Sequence, residues 1–440
     1  MSVRGGSVLI QKPKGTVDIL PGQVDVWQFV EETAKAILDR YRYFEIRTPM
    51  FESYDLFARG VGETTDVVSK EMYDFYDKGD RHIALKPEGT AAVVRAFIEH
   101  KLYAPEEAKP YKVFYLSPMF RYERPQGGRQ RQFNQLGVEV FGNANANTDV
   151  EVISLAWDIL TSLGIHNKKL VINSLGTPDT RLAYRQALID YLEPHFDQLS
   201  KDSQTRLHKN PLRVLDSKAP QDQELVKGAP SILAYLSEAS KARFDMVQAM
   251  LDDLGIPYEI DANMVRGLDY YQDTIFEIMP LGDDLNAQAT ICGGGSYDGL
   301  VSQLSDGKQE VPGCGFAIGL ERLILTMADQ DVQVPEMHPL DIYVVNIGEE
   351  TDRYAMKVLH QLRQAGYTAD RDFLMRKAKR QFKEADKQGA DLVITIGGQE
   401  IADQVVQIKN MASGKEETVA YADLAADPRP IIEAIKGDNK

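Results

Sequence analysis

The chain has 440 residues, 43% of them apolar, and carries 66 Asp and Glu against 50 Lys and Arg for a formal net charge of −16. That length is enough for about three domains or sub-domains with real cores, and the acidic balance repels polyanions, so a nucleic acid or polyphosphate partner has to be met by a local basic patch. No run approaches the ~18 apolar residues of a membrane span, MSVRGGSVLIQKPKG lacks the apolar core of a secretion signal, and Cys292 and Cys314 form no CxxC pair, which argues against a disulfide framework or structural zinc and for a reducing cytoplasm.

In chain order, Val24, Trp27, Val30, Ala34, Ile37, Leu38 and Tyr41 recur at helical spacing, so residues 23–41 read as a long amphipathic helix. FEIRTPMFES (44–53) reads as a strand in which Pro49 marks an edge or a break. HIALKP (82–87) is a further strand and TAAVVRAFIEHK (90–101) a helix. YKVFYLSPMFRYE (111–123) and RQFNQLGVEVFG (131–142) follow as two strands joined by a loop holding PQGG. Strands joined by helices and long hairpins point to an α+β domain on a mainly antiparallel sheet.

From about 180 to 254 the pattern turns helical and polar between two strand-rich blocks, so it reads as a helical insertion. Strand signals return over 258–279 and 288–301, and GCGFAIGLERLILTMA (313–328) is a strand running into a helix. The polar, Pro-containing stretch that follows is a linker over 331–340. Beyond it, DIYVVNIG, AMKVLHQLRQAG, YTADRDF, MRKAKRQFKEADKQG and DLVITIGG alternate strand and helix, the pattern of a separate small α/β domain over 341–440. The expected layout is thus a domain over 1–330 containing the insertion, a linker, and a C-terminal domain.

Three stretches carry chemistry. FRYERPQGGRQRQF (120–133) holds Arg121, Arg124, Arg129 and Arg131 with Glu123 as the local carboxylate. Guanidinium groups fit phosphate oxygens bidentately, and a Gly-Gly turn lets backbone and ligand come close. The stretch is therefore either a phosphate clamp, with Phe133 offering a face to a base, or a solvated hairpin. RGLDYYQDTIFE (266–277) reads as a strand with Arg266 at its head and Tyr270 and Tyr271 on opposite faces; the plainer alternative is an ordinary strand with Arg266 paired to Asp269. In GFAIGLERLIL (315–325), Leu320, Leu323, Ile324 and the following Met327 share one helical stripe, and Arg322 lies about 200° from Leu320 in the first turn, whose free amides favour an anion.

Together these elements resemble the class II aminoacyl-tRNA synthetases, whose phosphate-binding arginines lie in an FRxE strand–loop–strand and a GLER helix, here Phe120-Arg121-Tyr122-Glu123 and Gly319-Leu320-Glu321-Arg322. The closer resemblance is to the histidyl-tRNA synthetase family, through KPKGTVDILP (12–21), LKPEGTAAVVRAF (85–97), FRYERPQGGRQRQFNQLGVEVFG (120–142) and RGLDYYQDTIFE (266–277). It runs from about Lys12 through the C-terminal domain. FRxE alone marks only the class, and RGLDYY beside it is the most discriminating part.

The resemblance implies a class II catalytic domain followed by an anticodon-binding domain, with Arg121, Arg266 and Arg322 as catalytic residues. It places ATP against Arg121, Glu123, Arg129 and Arg322, with adenine on Phe133. It places histidine against Glu88, Gly89, Thr90, Gln135, Glu139, Arg266, Tyr270 and Tyr271. Mg²⁺ would accompany the triphosphate, with no metal ligand assigned in the chain. The implied partners are L-histidine, ATP and the histidine tRNA, with a homodimer built on the helix of residues 23–41 and the Pro49 strand. For tRNA, residues 371–387 carry 7 basic and 3 acidic side chains; such a face is otherwise simply solvated. One departure stands out: Ser296, in GGGSYDGL, occupies a position where many members of that family have arginine. Two rivals share the core motifs. One is a synthetase-like paralogue that regulates histidine biosynthesis without aminoacylating, which typically lacks the C-terminal domain and the ATP-contacting arginines. The other is a class II synthetase for proline, threonine or glycine.

Overall fold

The computed structural model describes residues 10–63, 65–281 and 290–437. Residues 1–9, which include most of the stretch read for a secretion signal, and the first two residues of the strand expected over 288–301 lie outside the described residues. The chain divides into two compact units at Val334/Pro335, inside the polar stretch read as a linker.

The first unit is built on an eight-stranded sheet whose spatial order is Phe44–Glu45, Tyr111–Phe120, Gln132–Phe141, Gly313–Gly319, Cys292–Ser296, Gln272–Pro280, Lys168–Ser174 and Tyr258–Ile260. The outermost pair at each edge is parallel and every pair between is antiparallel. A small antiparallel sheet joins Phe51–Ser53, His82–Leu85 and Asp74–Tyr76. Residues 44–53 are therefore not one strand: Phe44–Glu45 and Phe51–Ser53 belong to different sheets, and Pro49 lies in the break, where it has no ladder hydrogen bond to give.

Period-two alternation sorts the side chains of the large sheet between two layers. Leu136, Val138 and Val140 pack with Cys314, Phe316 and Ile318 against the helices Val24–Arg40, Ala146–Ser162 and Leu320–Asp329. Val30, Ala34, Ile37 and Leu38 of the first helix are buried in that layer, so this helix is a core element of its own chain. The opposite face meets the helix Thr90–Glu99 and the earlier helices of the insertion, whose last helix packs in the first layer through Phe244, Val247 and Leu251. The insertion starts with Pro178–Leu192, ends with Glu238–Asp253, and links two adjacent strands of the sheet, Lys168–Ser174 and Tyr258–Ile260, by way of short helices. The helix Ala146–Ser162 and the strand Lys168–Ser174 were not anticipated from sequence.

The stretch 258–279 is not continuous strand. Tyr258–Ile260 and Gln272–Pro280 are strands, and residues 261–271 between them form a loop without a ladder, here called the tyrosine loop.

The second unit has a five-stranded sheet in the order Ala369–Arg371, Ile342–Asn346, Leu392–Ile396, Val405–Asn410 and Glu416–Ala420. The first three are parallel, as the alternating strand and helix pattern predicts, and the last two add an antiparallel edge.

Candidate active site

The site begins with residues that have no side chain. In GCGFAIG (313–319), Cys314, Phe316 and Ile318 turn into the core, so Gly313, Gly315, Ala317 and Gly319 face the other way. In register, Gly137, Ala317 and Gly293 form a row across adjacent strands, with Tyr115 and Glu277 on the two strands that flank it. A sheet face made of such residues leaves volume above it, and a cavity of about 330 Å³ opens there. Of the residues proposed from sequence, Glu88, Thr90, Arg121, Glu123, Arg129, Phe133, Gln135, Arg266, Tyr270, Tyr271 and Arg322 all line it.

At one end lie the guanidinium groups. The Arg121 Nε donates to the Pro87 carbonyl at 2.8 Å, and the guanidinium carbon sits 5.3 Å from the Phe133 ring centre. Arg129 donates to Glu123 at 3.3 Å, and Arg121 stands 3.9 Å from the same carboxylate. Arg322 enters from the first turn of Leu320–Asp329, where its Nη1 donates to the Thr290 carbonyl at 2.9 Å. Burial first, then Arg129, push the Arg322 pKa down, with Glu123 opposing. Three cations thus share Glu123, and a polyanion would relieve their mutual repulsion. The Gly-Gly turn makes this possible: Gly128 has φ +68°, and a Cβ there would lie 2.8 Å from Arg322 Cγ. The other two arginines of the loop do not join. Arg124 is exposed and Arg131 lies 3.8 Å over the Tyr122 ring.

The opposite end is a buried acidic pocket. Glu88 accepts the Thr90 and Ala91 amides at 2.9 and 2.8 Å, which caps the helix Thr90–Glu99. Burial raises its pKa, and those two amides work against the rise. Gln135 Oε1 is buried with no protein partner. An orphaned acceptor costs about 1–3 kcal/mol, so a ligand ammonium would be favoured beside it.

Glu139 and Gly89 stand behind the cavity wall. Glu139 is 1% exposed and accepts from Thr90 Oγ1 at 2.7 Å and from the Tyr297 hydroxyl. Burial pushes its pKa up to about 8, against the pull of those two donors. Gly315, which lines the cavity, leaves room for this carboxylate, because a Cβ there would sit 2.2 Å from Glu139 Oε2. At Gly89 a Cβ would lie 2.2 Å from Tyr115 Cζ, so this glycine makes room for the Tyr115 ring.

The tyrosine loop corrects the sequence reading. Tyr270 and Tyr271 do not face opposite sides of a strand. Their ring centres are 4.7 Å apart and both line the cavity, which a loop free of the pleat permits. The Tyr270 hydroxyl donates to Glu88 at 3.4 Å. Arg266 pairs with Glu277, not with Asp269, and lies 5.7 Å over Tyr271. Burial works against the Arg266 charge, but Glu277 more than offsets this and holds the guanidinium above its ordinary range. Gly293 is required here too, since a Cβ would come within 2.3 Å of Arg266 Nη2.

Four participants escaped the sequence reading. Tyr115 and Tyr297 line the cavity, Thr290 donates to Glu277 Oε2 at 2.6 Å, and Glu277 holds Arg266. Glu277 ends the RGLDYYQDTIFE stretch, and its charge amid apolar strand residues is the signal that could have found it. Ser296 is not on the cavity. It is fully buried and bonded at 2.7 Å both to Asp149 and to Arg243, a guanidinium supplied by the insertion's last helix.

The model for the histidyl-tRNA synthetase family matches residues 15–323, and that for an anticodon binding domain matches residues 341–427. A histidine–tRNA ligase of Lactiplantibacillus plantarum is 57% identical over 96% of this chain and 99% of its own length. One of Limosilactobacillus fermentum is 58% identical over 95% and 96%. Among solved structures, the apo S. aureus histidyl-tRNA synthetase superposes with a TM-score of 0.80 at 43% identity, covering 97% of this chain and 100% of that one.

Proposed function

This chain belongs to the histidyl-tRNA synthetase family, and from that membership and the cavity we infer that it is a histidine–tRNA ligase, which activates L-histidine with ATP and transfers it to the 3′ end of its tRNA. The observation that carries the reading is one cavity in which Arg121, Arg129 and Arg322 gather at one end and Glu88, Gln135 and the tyrosine pair at the other.

In the first step a carboxylate oxygen of histidine bonds to the α-phosphorus of ATP while the bond from that phosphorus to its β-bridging oxygen breaks. The products are histidyl adenylate and pyrophosphate. The nucleophile is already an anion, so no protein base is needed. The work left to the protein is to hold two anions together and to neutralise the charge that gathers on the leaving phosphates. Arg121, Arg129 and Arg322 do this for the phosphates, Arg266 stands between the histidine carboxylate and the α-phosphate, and Glu123 fixes the guanidiniums that flank it. The Phe133 ring already carries Arg121 over one face, so adenine stacks on the other.

The ammonium of histidine meets Glu88, Thr90 and the orphaned Gln135 oxygen. The ring enters beside Tyr270 and Tyr271 and reaches Glu139 across Gly315. An acceptor aimed at a substrate N–H rejects analogues lacking it by about 10⁴–10⁵, so selection at this pocket suffices without an editing site.

ATP would arrive as its Mg²⁺ complex. Glu123 and Glu277 are the carboxylates at hand, but both are engaged by arginines. Among the described residues no three His, Cys, Asp or Glu side chains gather as a metal cage, so phosphate oxygens would supply most of the coordination.

In the second step a hydroxyl of the terminal ribose attacks the histidyl carbonyl and AMP leaves. The tRNA is held in part by the C-terminal unit. Of the basic residues in 371–387, Arg371 is buried against Asn346 and Asp352, and Arg376 pairs with Asp372 and Glu384, so neither is free for RNA. Lys377, Lys379, Arg380, Lys383 and Lys387 are exposed and form the basic surface. The exposed Phe44, Met50 and Phe51 around Pro49 support a homodimer through that segment, and Phe75 and Tyr76 add exposed rings on the same small sheet as Phe51. The two buried cysteines, both unbridged, fit a cytoplasmic enzyme. The regulatory paralogue is disfavoured by the matched C-terminal domain and the intact arginine cluster.

The deciding experiment is ATP–pyrophosphate exchange driven by each of the twenty amino acids, followed by tRNA charging. Exchange with histidine alone is expected; exchange driven better by proline, threonine or glycine, or none with histidine, refutes the reading.

A further inference from the structure

The tyrosine loop, residues 261–271, runs between two strands without a ladder, so its backbone carbonyls need partners from elsewhere. Asn173 of the sheet donates to the Met264 carbonyl at 3.0 Å. Further side-chain donors come from the helical insertion. Arg213 Nη2 donates to the Gly267 carbonyl at 2.7 Å, Arg181 Nη1 to the Asp269 carbonyl at 3.1 Å, and Asn210 Nδ2 to the Asp269 carboxylate at 3.5 Å. Arg181 lies on the insertion's first helix, Pro178–Leu192, and Arg213 on the short helix Leu212–Leu215, so two separate parts of the insertion grip carbonyls two residues apart. From the other side the Asp269 amide donates to the Val61 carbonyl at 3.3 Å. Gly62 lies so close that a Cβ would come within 2.7 Å of Asp269 Oδ2. Arg181 carries a buried Nε with no protein partner, and burial lowers its pKa. Asp269 and Asp273 offset part of the cost of burying this charge, and the one carbonyl its guanidinium bonds is that of Asp269 in the loop.

We propose that the helical insertion is a brace for the tyrosine loop, with Arg213 and Arg181 as positioning residues that set where Arg266, Tyr270 and Tyr271 stand in the cavity. The two arginines grip the residue after Arg266 and the residue before Tyr270, so a slip of either carbonyl moves a cavity group. Displacement of about 1 Å at a reacting centre can cost 10²-fold in rate. The brace rests on the reading of this cavity as the adenylation site, but its effect on the loop is measurable without that reading.

The test uses the full-length protein with Arg213→Met, which keeps an apolar stem and removes the donors, Arg213→Lys, which restores one cationic donor, and Arg181→Met as a second site. Hydrogen-exchange mass spectrometry follows a peptide covering residues 264–272, and pyrophosphate exchange gives KM for histidine and for ATP. The expected result for Arg213→Met is loop exchange and KM for histidine each raised roughly tenfold, the loss of one charge-assisted bond. KM for ATP should stay within about twofold, the strand Gln132–Phe141 should exchange as in the parent, and Arg213→Lys should recover part of the effect. Unchanged loop exchange in both methionine variants, or equal acceleration across the whole first unit, overturns the proposal. A parent protein without histidine-dependent pyrophosphate exchange would sink the functional reading while the loop data still decide the brace.

Discussion

Replacing Arg266 with methionine removes a guanidinium but keeps a stem of similar length, and two distinct losses should follow. The first is in stability. Glu277 loses its arginine and keeps only the Thr290 hydroxyl at 2.6 Å. Stranding one partner of a buried pair costs about 3–5 kcal/mol. Here the two side chains are 18% and 15% exposed, so water can reach the survivor and about 2–3 kcal/mol is the better figure. The second loss is catalytic. Deleting a donor aimed at charge that develops in the transition state costs about 2.7–4 kcal/mol, or 10²–10³ in kcat. Adding Glu277→Gln separates the two, because a neutral amide needs no countercharge: the double variant should regain most of the stability and none of the rate. Urea titration and histidine-dependent pyrophosphate exchange read the two quantities. Exchange within about threefold of the parent would refute the catalytic role, and a stability loss that Glu277→Gln does not relieve would refute the pairing.

Further outcomes follow from the same geometry. Glu139 has its pKa raised to about 8 in the fold, so its contribution to stability is complete below about 4.5 and is lost as pH rises through about 8. Urea midpoints measured across that window should fall more steeply for the parent than for Glu139→Gln; equal slopes would remove the charge from this interior position. Gly128→Ala forces a left-handed residue to carry a Cβ 2.8 Å from Arg322 Cγ, so KM for ATP should rise about fivefold while KM for histidine holds. The reverse pattern would place Arg322 away from the nucleotide. Lys379→Glu with Arg380→Glu reverses two exposed charges on the C-terminal unit. tRNA charging should drop roughly tenfold and become less salt-sensitive, with tRNA-free exchange unaltered; unchanged charging removes this face from the RNA contact.

Much of this architecture is visible in local pattern. The 3.6-residue spacing of Val30, Ala34, Ile37 and Leu38 marks a helix whose buried stripe is the one observed. FRYERPQGGRQRQF declares a tight turn between strands, and the turn forms with Gly128 at positive φ. The alternation in GCGFAIG contains even the cavity floor, since each glycine or alanine takes the face opposite Cys314, Phe316 and Ile318. Where local pattern misled, the cause was a period carried too far. Residues 258–279 have strand-like composition throughout, yet the tyrosine loop has no neighbouring strand to pair with and is shaped by Arg181, Arg213 and Val61 instead.

By itself, then, the amino-acid order determined most of the helices and strands, the tight turn between two of them and the bare face of the strand Gly313–Gly319, because backbone periodicity and turn chemistry act over a few residues. Which guanidinium answers which carboxylate was decided only in three dimensions. Arg266 turns to Glu277 rather than Asp269, and Glu139 is held by Tyr297 across a gap of 158 positions. Such choices depend on strand register and on loops packed between elements distant in the chain, and no local pattern encodes a distance between them.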